Sequence, residues 1–518
     1  MIIRSKKIHT GLVTMKKIII NISPWQTRVA VTLDDKLQNV FFSAHAERPL
    51  ERVFFKGMVT KVLPGIQTAF VDIGQEKAGF LHISEIDREL AIKRFSDDAQ
   101  LDEEENNNPP TAKHRQSVDI VNILKEGEPI LVQVSKEPVY EKGAKLTTCF
   151  TLPGRFIVLM PNIPRIGVSK KIEDRDERHR LKEIVRQQLP EGMGAIIRTT
   201  SESRDAQEIS KDIGFLVETW NEIQKKFNAA KPKEKIHEDI ELSLQIVRDH
   251  LDDDVEVVVT DNKENQKSLY QFIKSIAPEH QFKLKQYEGP ENIFSHYGID
   301  KQIQEALHKK SYLKSGGHLI IESTEAMTVI DVNTGKFIGK KSLEDTILQT
   351  NLEAAQETVR QLRLRNIGGL IVIDFIDMAS GTNRQKLFKF FEKTLREHDK
   401  FQSVVLKVSE FGLVQMTRKR SGKTLVQQLT DTCKTCHGSG FVNSLETQAY
   451  QVLNKLEVDL ADHKQLKLVT IALAPDVFEF ITSTEYNAIL HFEKQFGPKI
   501  TLESQKELAY DQYKIEKS

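Results

Sequence analysis

The chain has 518 residues, with 74 Lys plus Arg balanced by 74 Asp plus Glu, and only three cysteines. Such a length suits roughly three or four structural units, and the zero net charge excludes a wholesale polycation while leaving room for a local basic face against phosphates. Three cysteines exclude a disulfide scaffold and point to a reducing compartment, and no apolar run reaches the ~18 residues that a membrane helix needs.

In chain order, residues 1–14 read as an extension. They are basic but lack the apolar core of a signal peptide, and patterned sequence starts at Met15. Residues 15–50 hold the strand-like runs KIIINIS, TRVAVTL and NVFFSAH. Residues 51–149 continue as short strands punctuated by Pro64-Gly65 and Gly74, a spacing that predicts a small Greek-key barrel. Phe70 and Phe80 fall on neighbouring strands, either as core residues or as a stacking platform for unpaired bases. The acidic, Asn-rich stretch 96–114, with Pro109-Pro110, has no apolar periodicity and reads as a mobile loop. The barrel resumes at EPILVQVSKE, and Lys136 and Lys142 follow where they could face a phosphate backbone.

Residues 150–210 contain RFIVLMPNIPRIGVSKKI, a charged helix from about Asp174 to Gln188, and GMGAIIRTT. Arg198 and Thr199 end a strand at a loop. An arginine beside hydroxyl donors suits a bidentate grip on phosphate; the plain alternative is a surface arginine in a turn. Residues 211–310 alternate helix and strand without a catalytic constellation and read as scaffold.

Residues 311–425 carry the chemistry. GGHLIIESTEAMTVIDVNTGKF reads as a hairpin in which Asp331 and Asn333, two apart, share a face. A helix follows from Ser342, with Ser342 and Asp345 as a capping box and Gly368-Gly369 as its stop. The next strand, Leu370 to Met378, is apolar enough to be buried on both faces. It carries Asp374 and Asp377, which their odd spacing sends to opposite sides. If the two strands are neighbours, Asp331 and Asp374 converge and call for a cation, with magnesium as the hard ion that keeps waters for a substrate phosphate. Asn333 would then orient Asp331. The alternative is a pair of strand-end aspartates capping turns. Arg360, Arg363, Arg365, Arg418, Lys419 and Arg420 lie nearby in sequence and would favour a phosphodiester, although charge runs are often solvated faces.

Residues 426–442 include DTCKTCHGSGF, where Cys433 and Cys436 look like half of a four-ligand zinc site. Residues 443–518 read as a small folded domain.

GFLHISEI, IVLMPN, EGMGAIIRTT, TEAMTVIDVNTGKF, NLEAAQETVRQLRLRNIGGLIVIDFIDM, EFGLVQMTRKR and the CxxC together span most of residues 15–440. These stretches closely resemble the ribonuclease E/G family of bacterial endoribonucleases, and the chain length fits the family's shorter branch. The resemblance implies an α+β multidomain chain. An S1-type OB-fold barrel is inserted in a mixed α/β catalytic region with RNase H-like (15–50 and 211–310) and DNase I-like (311–425) subdomains, then a zinc-link and a small C-terminal α/β domain.

The resemblance also implies roles for single residues. Phe70, Phe80, Lys136 and Lys142 would meet single-stranded RNA. Gly154, Val158, Lys170, Arg198 and Thr199 would sense a 5′-monophosphate. Lys170 stands where the family has arginine, a point charge in place of a planar fork, and Gln402 aligns near a second expected arginine. Asp331 and Asp374 would hold magnesium, with Asn333 orienting Asp331, for metal-assisted hydrolysis leaving 5′-phosphate and 3′-hydroxyl ends. Cys433 and Cys436 would share a zinc with the same pair on a second chain, making a homodimer or higher oligomer. Cys149, in a strand-like stretch, is a poor zinc partner. The expected setting is rRNA maturation and mRNA decay in the cytoplasm.

Overall fold

A computed structural model describes residues 15–46, 49–86, 119–138, 143–335, 343–409, 411–420, 422–462 and 466–517. The expected extension 1–14, the acidic stretch 96–114, Lys142 and Ser342 lie outside these residues. The chain divides into two compact units, Met1–Leu425 and Val426–Ser518.

Among the described residues the first unit holds four sheets. In the first, the strands Lys16–Ile22, Gln26–Leu33 and Lys36–Ala44 form an antiparallel meander, and Val255–Thr260 and Leu284–Gln286 add in parallel beside Lys16–Ile22. The central strand is buried on both faces, as its unbroken apolar run requires: Ile18 and Ile20 enter one core and Ile19 another.

The second sheet closes on itself. Phe54–Leu63, Thr68–Asp72, Gly79–His82, Lys145–Thr147 and Pro129–Lys136 form a five-stranded barrel, sealed by pairing of the first with the last. Val59, Ala69, Val71, Leu81, Val132, Val134 and Leu146 fill it. Lys235–His237 adds to the outside of Phe54–Leu63.

A third, four-stranded sheet runs Ile166–Val168, Gly194–Ile197, Ile157–Met160, Leu152–Pro153. The helices Arg175–Gln188, capped by the Asp174 carboxylate, and Ala206–Ala229 share its core. The expected division at residue 210 falls inside Ala206–Ala229. That helix buries Ile209, Ile213, Leu216 and Trp220 with the third sheet's residues, so packing places it there and not with the scaffold that follows.

The fourth sheet carries the carboxylates. Its order is Lys310–Tyr312, His318–Ser323, Met327–Asn333, Gly369–Asp374, Leu413–Arg418, Ser403–Val405. Met327–Asn333 and Gly369–Asp374 are parallel, joined by the helix Leu343–Leu364. This helix stops earlier than Gly368: Asn366 takes the left-handed conformation (φ 52°), and the Ile367 amide reaches the Leu362 carbonyl at 2.9 Å. The result is a Schellman-type end made by asparagine.

Buried ion pairing holds the last strand in place. Arg418 donates to both carboxylate oxygens of Asp399, at 2.6 and 3.0 Å, and to the Ile367 carbonyl at 2.6 Å. Their side chains are 1% and 2% exposed. Removing one partner strands a buried charge, so Arg418→Ala should cost about 3–5 kcal/mol, read as a lowered unfolding midpoint of the first unit. A variant that melts with wild type would show the pair to be neutral.

The second unit has its own core. The helix Leu445–Asp462 and the helices Pro475–Ser483 and Tyr486–Phe496 pack with a three-stranded sheet. Leu468–Leu473 is its centre, parallel to Lys499–Ser504 and antiparallel to Tyr513–Lys517.

Candidate active site

In the fourth sheet, Leu319, Ile321, Ile330, Val332, Ile371, Ile373, Val414 and Met416 alternate inward and meet the two helices Leu343–Leu364 and Gly381–His398. The opposite face is open. The strand Gly369–Asp374 is therefore buried on one face and not both: Leu370 is 41% exposed and Asp374 is exposed. Among the described residues helices cover one side, so the unbroken apolar run overstated its burial.

Asp331 and Asp374 stand directly opposite one another on adjacent parallel strands, on the open face and at the carboxyl ends of both strands. Asn333 Nδ2 donates to Asp331 Oδ2 at 2.7 Å. Partial desolvation, then the charges of Asp331 and Asp377, raise the Asp374 carboxyl from its ordinary value.

Asp377 was expected on the far side. The strand ends at Asp374, so strand parity no longer governs it, and Asp377 bears electrostatically on Asp374. Two contacts shape this turn. Asn351, fully buried on the helix, donates to the Ile376 carbonyl and accepts from its amide, at 2.8 and 3.0 Å. Gly412, at φ +76°, lies so close that a Cβ would meet the Phe375 carbonyl at 2.6 Å and Asp377 Oδ1 at 3.0 Å. The glycine of the EFG stretch is thus a packing requirement of the carboxylate loop.

The arginines near in sequence do not form the site. Arg360 binds Glu357 and the Leu37 carbonyl, Arg363 donates to Asn39 Oδ1, and buried Arg365 donates to Gln361. Arg418 sits opposite Gly369, at the other end of the strand from Asp374. Five residues of extended chain separate those ends, about 17 Å. Arg420 lies against Gly369, at that same far end.

The barrel presents a second surface. Phe70 and Phe80 are paired across neighbouring strands on the outside, half-buried, while Ala69, Val71 and Leu81 fill the core. Of the two readings open for these rings, the core reading fails. The register extends the row to Lys61 beside Phe70, Lys145 beside Phe80, and Lys136 beside Lys145. Lys61 and Lys136 are exposed. Lys145 is partly neutralised by Glu85 at 2.6 Å. Sequence reading missed Lys61 and Lys145; the signal was their position in the register, which closure of the barrel alone supplies.

Around the third sheet, Arg198 Nη1 donates to the Gly154 carbonyl at 2.6 Å and to Asp249 Oδ1 at 2.8 Å. Burial raises the Asp249 carboxyl, but Arg198 and Arg248 outweigh it and hold it well below the usual range. Lys400, beside the same aspartate, is pushed down to about 8 by burial. Gly154 is buried where a Cβ would strike Asp212, and Val158 lies in one of the sheet's two interior strands. Thr199 and Lys170 are exposed. The Gln402 carbonyl accepts from the Lys419 amide. The structure brings Gly154 and Arg198 together, and among the described residues no side-chain hydrogen bond links Lys170, Thr199 or Gln402 to them.

In the second unit, Cys433 is exposed and Cys436 half-exposed. Hydrogen bonds from the Cys436 and Thr435 amides, then from the Cys436 thiol, bring the Cys433 thiol down to about 7. Left-handed His437, Gly438 and Gly440 turn the chain tightly behind the pair. Such a thiolate-favouring turn suits a soft cation. Cys149 is buried, its Sγ donating to the Glu85 carbonyl. Among the described residues no group of three or more His, Cys, Asp or Glu could hold a metal ion, so either candidate site needs ligands from elsewhere: water and substrate at the aspartates, a further pair of donors at the cysteines. No described helix is long and apolar enough to cross a membrane.

Two family models match this chain. One, described as the Ribonuclease E/G family, covers residues 151–421, and the other, the RNase E/G thioredoxin-like domain, covers 432–518. Ribonuclease G of Salmonella typhimurium (strain SL1344) is 36% identical over 487 residues, 94% of this chain and 96% of that protein. Ribonuclease G of Haemophilus influenzae is 37% identical over 500 residues, 96% of this chain and 99% of its relative. Ribonuclease E of Escherichia coli (strain K12) is 34% identical over 465 residues, 89% of this chain but 42% of that longer protein. On the extent of these matches, the chain belongs to the ribonuclease E/G family.

Proposed function

We propose that this protein is an endoribonuclease that hydrolyses phosphodiesters of single-stranded RNA at Asp331, Asn333 and Asp374. The observation that carries the reading is the in-register pairing of Asp331 with Asp374 on adjacent parallel strands. Nothing in folding requires two carboxylates to share an open sheet face, and their repulsion calls for a cation.

The donor set fits magnesium: hard oxygen ligands from two carboxylates, on an open face with room for water and phosphate. When bound there, magnesium supplies Lewis-acid chemistry, neutralising charge on the phosphodiester and generating a nucleophile from water. Asn333 fixes the Asp331 carboxylate by engaging Oδ2. Products would carry 5′-phosphate and 3′-hydroxyl ends.

The Lys61–Phe70–Phe80–Lys145–Lys136 row suits an unpaired strand, because only unstacked bases can lie on the rings while ammonium groups follow the phosphates. Lys142 belongs with that surface on the resemblance alone. The Arg198 and Gly154 pocket, with Val158, Lys170 and Thr199, would receive a 5′-monophosphate. That phosphate must compete with Asp249 for the Arg198 guanidinium. Cys433 and Cys436 supply two thiolates, and a four-ligand zinc completes itself with the same pair of a second copy, giving a dimer or higher oligomer. The setting we propose is the cytoplasm, in rRNA maturation and mRNA decay.

Three experiments test this reading. Asp331→Asn should reduce cleavage of a labelled single-stranded RNA by more than about 100-fold while binding persists, and Asn333→Ala by about 10–100-fold. Asp331→Asn cutting at the wild-type rate would sink the assignment in favour of an RNA-binding protein. Asp374→Asn has a stability signature. Its raised carboxyl pKa means that the folded state binds this proton more tightly than the unfolded chain. Stability therefore falls as pH rises through the carboxylate range. In metal-free buffer at neutral pH, Asp374→Asn should melt higher than wild type, and the difference should vanish at a pH below that range. For the cysteines, the double variant Cys433→Ser with Cys436→Ser should lose zinc and at least halve the mass seen by light scattering. Retention of both would overturn the shared site.

A further inference from the structure

The open face of the fourth sheet carries an aromatic pair beside the carboxylates. Tyr312, on the edge strand, stands opposite His318, which in turn stands opposite Asn333. Tyr312 is 72% exposed, so its ring contributes little to the core; its neighbour Ser311 points inward and donates to Glu357. The Tyr312 and His318 ring centroids lie 6.3 Å apart, tilted by 51°. The Lys310 ammonium stands 5.0 Å from the Tyr312 centroid. In the next row, Lys310 leads through Ile320 to Asp331 and Asp374.

We propose that Tyr312 and His318 seat one unpaired base of the RNA strand, next to the scissile phosphate held at Asp331 and Asn333. The inference rests on the nuclease reading above and extends its site by two strands, about 10 Å. An exposed ring prefers to cover its face, and a nucleobase offers a matching π surface whatever its identity. Lys310 provides the positive charge that the adjoining phosphate needs. A protein or lipid occupant fits less well, because the platform runs in register into the carboxylates that would meet the phosphodiester. The seat would fix the strand's position along the sheet, so that one phosphate stops over the carboxylates.

The test is a kinetic cycle. Single-stranded RNA oligonucleotides, each with one abasic nucleotide at successive positions around the cut, are given to wild type and to Tyr312→Ala. Loss of one stacked base is worth about 5–150-fold in kcat/KM. Wild type should lose that factor at one abasic position. Tyr312→Ala should lose the same factor on intact RNA, and nothing further on the RNA abasic at that position. Tyr312→Phe should restore most of the loss, which a misfolded edge strand would not allow. The proposal is overturned if Tyr312→Ala stays within about twofold of wild type on intact RNA, or if the two losses multiply. Failure of wild type to cut any RNA would instead remove the nuclease reading, and this inference with it.

Discussion

Parallel pairing of Met327–Asn333 with Gly369–Asp374 is the constraint from which the rest of the site follows. With the helix Leu343–Leu364 between them in the chain, the two strands run in the same direction and finish at the same edge. Each ends in an aspartate, and the register sets these opposite each other. A one-residue slip would send one of them into the apolar layer of Ile330, Ile371 and Ile373. The hydrophobic face thus protects the register, and the register makes the carboxylate pair. The loop after Asp374 is held from two sides, by Asn351 on the helix and by the close approach of Gly412.

The same geometry explains why the arginine-rich stretches turned inward. The strand Leu413–Arg418 runs antiparallel to Gly369–Asp374, so its first residue meets Asp374 and its last meets Gly369. The cations are therefore delivered to the end remote from the carboxylates. There they serve packing: Arg418 closes on Asp399, while Arg360 and Arg363 reach the first sheet at Leu37 and Asn39. Exposed positive charge lies instead on different elements, in the outer row of the barrel and at Lys310 on the open sheet face.

Aromatic side chains divide by the same rule of alternation. In the barrel, period two puts Val71 and Leu81 inside and leaves Phe70 and Phe80 outside, adjacent because their strands are in register. On the fourth sheet it buries Ser311 and Leu319 and leaves Tyr312 and His318 outside. Both aromatic pairs sit on sheets closed off on the other face, one by the barrel core and one by two helices. A rigid backing of this kind holds the exposed rings at fixed spacing.

Sequence alone was enough for the local features. Period and punctuation marked the barrel strands, the helix following Asp174, the hairpin ending at Asp331 and Asn333, and the CxxC. These depend on residues close in the chain, where alternation and capping act. It also placed Asn333 on the face of Asp331, because spacing within one strand is geometry of the backbone. Pairing between distant strands was left to the tertiary structure. It chose the outer position for Phe70 and Phe80, brought Lys61 and Lys145 into their row, ended a strand early enough to free Asp377, and buried Arg365 and Arg418. It also left one face of Gly369–Asp374 open, where the apolar run suggested burial on both. Each of these outcomes depends on which surfaces meet across long sequence separations, and a linear pattern carries no information about the partner.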